Sequence, residues 1–171
     1  MRAVAPQLAA LSGSAIAGFQ PTNGEPDVGP LLTDLMSSHG LTVLIPRTAP
    51  GRRLEWVQAD RAALTGERSG IPRPSGAVVA FGGHVADRVG VILVPALAVD
   101  PRTGARLGYG AGYYDRLLAD LTVPVRIVGV CRRSELVELP VDDHDLPVDS
   151  VLTGALASIP AGDDPRAGGS A

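Results

Sequence analysis

Between Arg106 and Asp115 the chain reads Arg-Leu-Gly-Tyr-Gly-Ala-Gly-Tyr-Tyr-Asp. Glycines at 108, 110 and 112 let a backbone bend tightly and turn its N–H groups toward one point. The apolar run Val89–Val94 stands before this stretch and a helical pattern over Gly112–Leu121 follows it. Strand, glycine-spaced loop and helix start together make a candidate anion site. Arg106 adds a forked cation that suits phosphate. Asp115 is a candidate ligand for a hard cation such as Mg²⁺. Taken alone, the G-x-G-x-G spacing equally describes an ordinary strand-to-helix turn, and Asp115 equally describes a helix cap.

Composition narrows the chemistry. The chain has 171 residues, 45% hydrophobic and 19% charged, with net charge −3. That balance suits one globular domain with its own core and offers no footprint for nucleic acid. All 15 basic residues are Arg, which excludes Schiff-base lysines and the lysine of a P-loop. A single cysteine, Cys131, excludes an internal disulfide framework; following Val125–Val130, it reads as a buried thiol. The longest apolar run, Val89–Val99, is interrupted by Pro95 and falls short of the roughly 20 residues that span a bilayer. Near the N-terminus, Pro6, Gln7, Ser12, Gly13 and Ser14 break any signal-peptide core, so a cytoplasmic protein is expected.

The elements that must hold the loop follow from periodicity and turn residues. Ala3–Leu11 reads as a short helix and Ala15–Phe19 as a buried strand ended by Pro21-Thr22-Asn23-Gly24. Asp27 is placed to cap a helix whose Leu31, Leu32, Leu35 and Met36 share a face and which Gly40 ends. Leu41–Ile45, Leu54–Val57, Val89–Val94 and Val125–Val130 read as strands, and Val151–Thr153 as an edge strand. In Gly112–Leu121, Tyr113, Leu117 and Leu118 should turn inward. Thr65–Gly76 reads as a loop, and 160–171 as a disordered tail behind a single domain over 1–159. The β-α-β order predicts a three-layer α/β fold: a mainly parallel sheet, helices on both faces, and a ligand site at the carboxyl ends of the strands.

The longer string Pro95-Ala96-Leu97-Ala98, Asp100 and Arg106 through Arg116 resembles the signature of the 5-formyltetrahydrofolate cyclo-ligase family, also called methenyltetrahydrofolate synthetases. Other pieces agree in order. Phe19-Gln20-Pro21-Thr22-Asn23-Gly24-Glu25 resembles the segment carrying the family's folate-binding glutamate. Gly70-Ile71-Pro72-Arg73-Pro74 resembles its Gly-Ile-Pro-Glu-Pro turn, with Arg for Glu, and Leu139 through Asp149 resembles its C-terminal stretch. The likeness runs from about Ala15 to Thr153.

The resemblance implies a reaction in which 5-formyltetrahydrofolate and ATP, with Mg²⁺, give 5,10-methenyltetrahydrofolate, ADP and phosphate through an iminium phosphate that N10 attacks. It implies Arg106 and Tyr113 as catalytic residues. Arg106, Leu107, Gly108, Tyr109, Gly110, Ala111, Gly112, Tyr113 and Tyr114 would line ATP. Gln20, Glu25 and the stretch Tyr109, Gly110, Ala111, Gly112, Tyr113 would border the folate. Asp115 and Asp149 would be the magnesium carboxylates. A monomer acting on small molecules, with no membrane or nucleic-acid partner, is expected.

For several residues a plainer use stays open. Asp149 also reads as a turn residue before the last strand, Asp100 as an Asx-turn residue, His144 as a solvated loop residue and Trp56 as core. The family's basic N-terminal helix, with Lys and Arg one turn apart, has no counterpart before Ala15, where Arg2 is the one cation. A shortened, non-catalytic folate-binding relative is therefore the second reading. A sugar-phosphate-binding relative of the same architecture is more remote and would not need Glu25 and Asp149 together.

Overall fold

The computed structural model describes residues 4–22, 24–65, 74, 76–140 and 146–154. The Gly-Ile-Pro stretch over 70–73, His144 and the tail lie outside these residues. In chain order the elements are α1 (Ala5–Ser12), β1 (Ala15–Ala17), α2 (Gly29–Ser38), β2 (Thr42–Ala49), β3 (Arg53–Gln58), α3 (Arg61–Thr65), β4 (Val78–Phe81), β5 (Val91–Pro95), β6 (Ala98–Val99), β7 (Arg106–Leu107), α4 (Tyr113–Ala119), β8 (Arg126–Val130) and β9 (Ser150–Leu152). A 3-10 segment, Gly82–Asp87, follows β4.

The main sheet has seven strands in the order β4-β3-β2-β1-β5-β8-β9. From β2 to β9 the pairings are parallel; β2-β3-β4 form an antiparallel flank. All of β5 is buried, because helices cover both faces and a parallel strand then carries apolar residues without alternation. Val91 and Leu93 face a cluster with Leu8, Leu31, Leu32 and Leu35 of α1 and α2. Ile92 and Val94 face the opposite cluster, with Val85 of the 3-10 segment and Leu117 and Leu118 of α4. This is the predicted three-layer arrangement.

Three local expectations need correction. Asp27 is not the N-cap of α2: Val28 holds that position, and the Asp27 Oδ1 accepts the Gly29 N–H at 2.9 Å from one residue earlier. The strand expected to stop at Ile45 continues to Ala49, through Pro46. The pairing of β1 with β2 reaches only Leu44, so beyond it β2 has a neighbour on one side, where proline is tolerated. The strands β4, β6 and β7 were not anticipated; each is four residues or fewer and too short for a two-residue period to emerge. Among the described residues, no helix is long and apolar enough to cross a membrane.

Candidate functional site

The chain leaves β5 at Pro95 and forms a small antiparallel hairpin, in which Ala98 pairs with Leu107 and Val99 with Arg106. Asp100 braces its turn. The Asp100 carboxylate is buried and accepts the N–H groups of Arg102 at 2.8 Å and Leu139 at 3.3 Å. These bonds, led by that from Arg102, hold its pKa below the usual carboxylate value against the desolvation of burial. Asp100 is therefore the Asx-turn residue, and its job is to aim β7 and the loop beyond it.

That loop closes one wall of a cleft of about 270 Å³. Phe19, Gln20, Thr22 and Glu25, from the segment after β1, form a second wall; Pro46, Thr48 and Leu54 of β2 and β3 form a third, with Pro95 at the base. The cleft thus sits at the carboxyl ends of parallel strands, where ligand sites of open α/β sheets occur. Arg106, Gly108, Tyr109, Ala111, Gly112, Tyr113, Tyr114 and Asp115 all line it. Leu107 and Gly110 belong to the loop without lining the cleft; Leu107 instead accepts the Leu97 N–H through its carbonyl, at 2.9 Å.

The glycines divide into two uses. Gly110 and Gly112 have φ of 79° and 71°, a region costly for residues with a Cβ. Gly108 does not have positive φ; a Cβ there would lie 2.7 Å from Arg106 Nη1. Gly108 is small so that the guanidinium can lie across it.

Arg106 donates from Nη2 to Asp115 Oδ1. The Arg106 side chain is 4% exposed, Asp115 is 66% exposed, and the Arg106 Nε is buried without a hydrogen-bond partner. The N-cap of α4 is Gly112, with no side-chain cap, so Asp115, in the first turn, serves as an ion-pair partner and not as a cap.

Glu25 approaches the loop from β1. The Glu25 Oε2 accepts the Thr22 N–H at 2.6 Å, and its negative charge reaches two phenols. Burial, reinforced by Glu25 and opposed by Arg106, pushes the Tyr114 hydroxyl well above its ordinary pKa. Burial and then Glu25 raise Tyr109 as well. Tyr113 and Tyr114 both pack on the core cluster while facing the cleft. Gln20 is anchored by Nε2 to the Ala63 carbonyl at 2.9 Å, leaving a buried Oε1 without a partner.

Asp149 is elsewhere and does not join these residues. The Asp149 Oδ2 accepts the N–H of Ile127, the second residue of β8, at 2.5 Å. Ile127 is level with Ile92, three residues before Pro95, which at about 3.3 Å per residue is roughly 10 Å down the strands from the base of the cleft. Asp149 does not line the cleft. A residue immediately before a parallel strand stands at its amino end, so the two carboxylates paired by the resemblance are separated.

Among the described residues no cluster of three or more His, Cys, Asp or Glu could cage a metal. One exposed carboxylate, Asp115, remains at the cleft. That donor set fits Mg²⁺ arriving on phosphate oxygens, since the ion keeps several waters and uses one or two carboxylates. The wall from β2 and β3 was not anticipated as part of the site, because Pro46, Thr48 and Leu54 carry no chemistry that sets them apart from core.

With this geometry stand four likenesses to known proteins. A model of the 5-formyltetrahydrofolate cyclo-ligase family matches residues 2–154. A 5-formyltetrahydrofolate cyclo-ligase of Mycolicibacterium smegmatis is 36% identical over 152 residues, spanning 84% of this chain and 75% of that protein. An Escherichia coli protein of the same description is 32% identical over 143 residues, 81% of this chain and 76% of its own. The solved structure of a 5,10-methenyltetrahydrofolate synthetase from Mycoplasma pneumoniae has the same fold, with a TM-score of 0.58 at 18% identity, covering 86% of this chain and 80% of that one.

Proposed function

The chain belongs to the 5-formyltetrahydrofolate cyclo-ligase family, and from that premise we propose that its cleft converts 5-formyltetrahydrofolate to 5,10-methenyltetrahydrofolate at the expense of ATP. The observation that carries this reading is convergence: Glu25 from the β1 side and Arg106 with Asp115 from the β7–α4 side line one cleft. Core packing does not require that meeting, because none of the three is apolar.

In the proposed reaction the formyl oxygen takes the γ-phosphoryl group; its new O–P bond replaces the bond to ADP. The formyl carbon becomes an iminium carbon on N5. N10 then attacks that carbon and loses its proton, and the C–O bond breaks as phosphate departs with the former formyl oxygen. Little covalent work falls to the protein, so positioning and charge decide the rate.

Arg106 holds the phosphates, its fork already aimed by Gly108. Glu25 accepts N–H groups of the pterin, a charge-assisted pairing. Tyr109 and Tyr113 flank the formyl group, and the unpartnered Gln20 Oε1 accepts a further folate N–H. A buried acceptor without a partner is costly, and a substrate donor would remove that cost. Asp115 would hold Mg²⁺, which when bound neutralises phosphate charge. The cleft of about 270 Å³ is at the small end for ligand sites, so it takes the reacting heads while the rest of each substrate lies along the rim. The protein acts as a cytoplasmic monomer in this reading.

The test is direct. Incubated with 5-formyltetrahydrofolate, Mg²⁺ and ATP, the protein should generate the near-ultraviolet absorbance of the methenyl product and release phosphate in equal amount. Folate binding with no ATP consumption at millimolar nucleotide would instead favour a non-catalytic binder. That outcome has a physical route, since α1 (Ala-Pro-Gln-Leu-Ala-Ala-Leu-Ser) carries no cation.

A further inference from the structure

Arg106 and Asp115 are assigned to different ligands in the proposed reaction, phosphate and metal, yet in the structure each is bound to the other. Their settings differ. The guanidinium is enclosed, 4% exposed, against Gly108, with Nε lacking a hydrogen-bond partner; the carboxylate is 66% exposed. Asp115 can therefore turn outward, whereas Arg106 stays where it is.

Neither ligand can bind alone without loss. A divalent ion that takes Asp115 Oδ1 must displace the guanidinium hydrogen-bonded to it, and Mg²⁺ surrenders its own waters reluctantly. That displacement would also leave an enclosed cation without its counter-charge, a costly state. A nucleotide without metal meets the mirror problem: its phosphates must take Arg106 while a released Asp115 carboxylate stands beside them. Only the two ligands together leave every charge compensated, the phosphate on Arg106 and the cation on Asp115.

We propose that the Arg106–Asp115 pair is a partner-exchange latch, which makes the cleft resist both free divalent cation and metal-free nucleotide and admit the two as a unit. The proposal rests on reading the cleft as the nucleotide site and adds to it how entry is coupled. Coupling of this kind is reciprocal: the factor by which bound metal raises nucleotide affinity is the factor by which bound nucleotide raises metal affinity.

Two binding measurements test it, neither of them turnover. In the first, Mn²⁺ is titrated into nucleotide-free protein and free ion is read by electron paramagnetic resonance. Arg106→Gln should bind Mn²⁺ about tenfold or more tighter than wild type, the scale of one charge-assisted bond, and adding Asp115→Asn should erase the gain. In the second, ATP is titrated calorimetrically in excess chelator, where Asp115→Asn should bind about tenfold tighter than wild type. Unchanged Mn²⁺ affinity in a folded Arg106→Gln protein overturns the latch, as does unchanged or weaker metal-free ATP binding by Asp115→Asn. Should Arg106→Gln not fold, the ATP measurement decides alone, because Asp115 is exposed and Asn preserves its shape. A wild type that binds ATP under no condition would instead sink the nucleotide reading, leaving the Mn²⁺ titration to judge the pair.

Discussion

Asp149 and Ile127 are joined twice: the carboxylate accepts the Ile127 N–H at 2.5 Å, and the Asp149 N–H donates to the Ile127 carbonyl at 2.8 Å. The double link registers β9 on β8, because it fixes the residue just before Ser150 pairs with Val128. It gives Asp149 structural work at the amino end of the strands, away from the cleft.

Asp149→Ala should therefore destabilise the protein by about 1–3 kcal/mol, the cost of leaving a partly buried N–H without its acceptor. At this chain length that lowers the melting temperature by roughly 2–10 °C. The magnesium dependence of turnover in the folded fraction should be unchanged. Thermal melts and a Mg²⁺ titration of the rate check both halves; normal melting with a lost magnesium response would restore Asp149 as a metal ligand.

Glu25→Gln separates charge from shape at the folate wall. The amide keeps one acceptor but cannot pair with N–H groups as an anion, so affinity for 5-formyltetrahydrofolate should fall about tenfold to a hundredfold. The same variant has a ligand-free signature. Glu25 is among the causes raising the Tyr109 phenol, after burial, so removing its charge should move that ionisation to lower pH. Tyrosinate absorbance during alkaline titration reads this, with Tyr109→Phe identifying the transition. An unmoved Tyr109 would mean that Glu25 is farther from the loop than the cleft requires.

Much of this was legible in the residues. The strand cores Val91–Pro95 and Arg126–Val130 carry enough branched apolar residues to announce themselves, Ala15–Ala17 is marked by the turn residues after Phe19, and Leu31, Leu32 and Leu35 give the buried face of α2. The loop from Arg106 was legible for another reason, its spaced glycines and forked cation. The cleft's third wall was not, since Pro46, Thr48 and Leu54 matter only through the antiparallel pairing of β2 with β3. Nor was the separation of Asp115 from Asp149. A one-dimensional string records that a carboxylate precedes a strand, and only the parallel register says at which end of the sheet that lies.

The glycines make opposite predictions within five residues. At Gly110, φ is 79° and a Cβ would meet nothing within 4 Å, so Gly110→Ala should cost stability, roughly 1–2 kcal/mol of left-handed strain, with modest effect on nucleotide affinity. Gly108 has ordinary backbone but a Cβ would press on Arg106 Nη1 at 2.7 Å. Gly108→Ala should melt near the wild-type temperature and lose nucleotide affinity as the guanidinium shifts. Paired melting and calorimetric ATP titrations compare them, and the same ranking of both variants in both assays would contradict the division.

Alkaline pH should weaken the fold through groups that burial keeps neutral. Burial pushes the Cys131 thiol up from 9.0 to about 11, with Glu135 adding to it. The Tyr114 phenol is raised well above 10.0, first by burial and then by Glu25. Both shifts favour the protonated form in the folded state, so over this range the native protein holds more protons than the unfolded chain. Stability must then fall as pH rises. These contributions are complete below about pH 8, a unit under the lower of the two unfolded values, where neither unfolded group ionises appreciably. Cys131 loses its share between 9.0 and about 11, and Tyr114 begins to lose its own above 10.0. Denaturant melts from pH 7 to 11 should show a plateau followed by a decline. Cys131→Ala should flatten the first part of that decline and Tyr114→Phe the later part, whatever each substitution costs at pH 7. A decline starting near neutrality, or one that neither variant flattens, would place its origin in other groups.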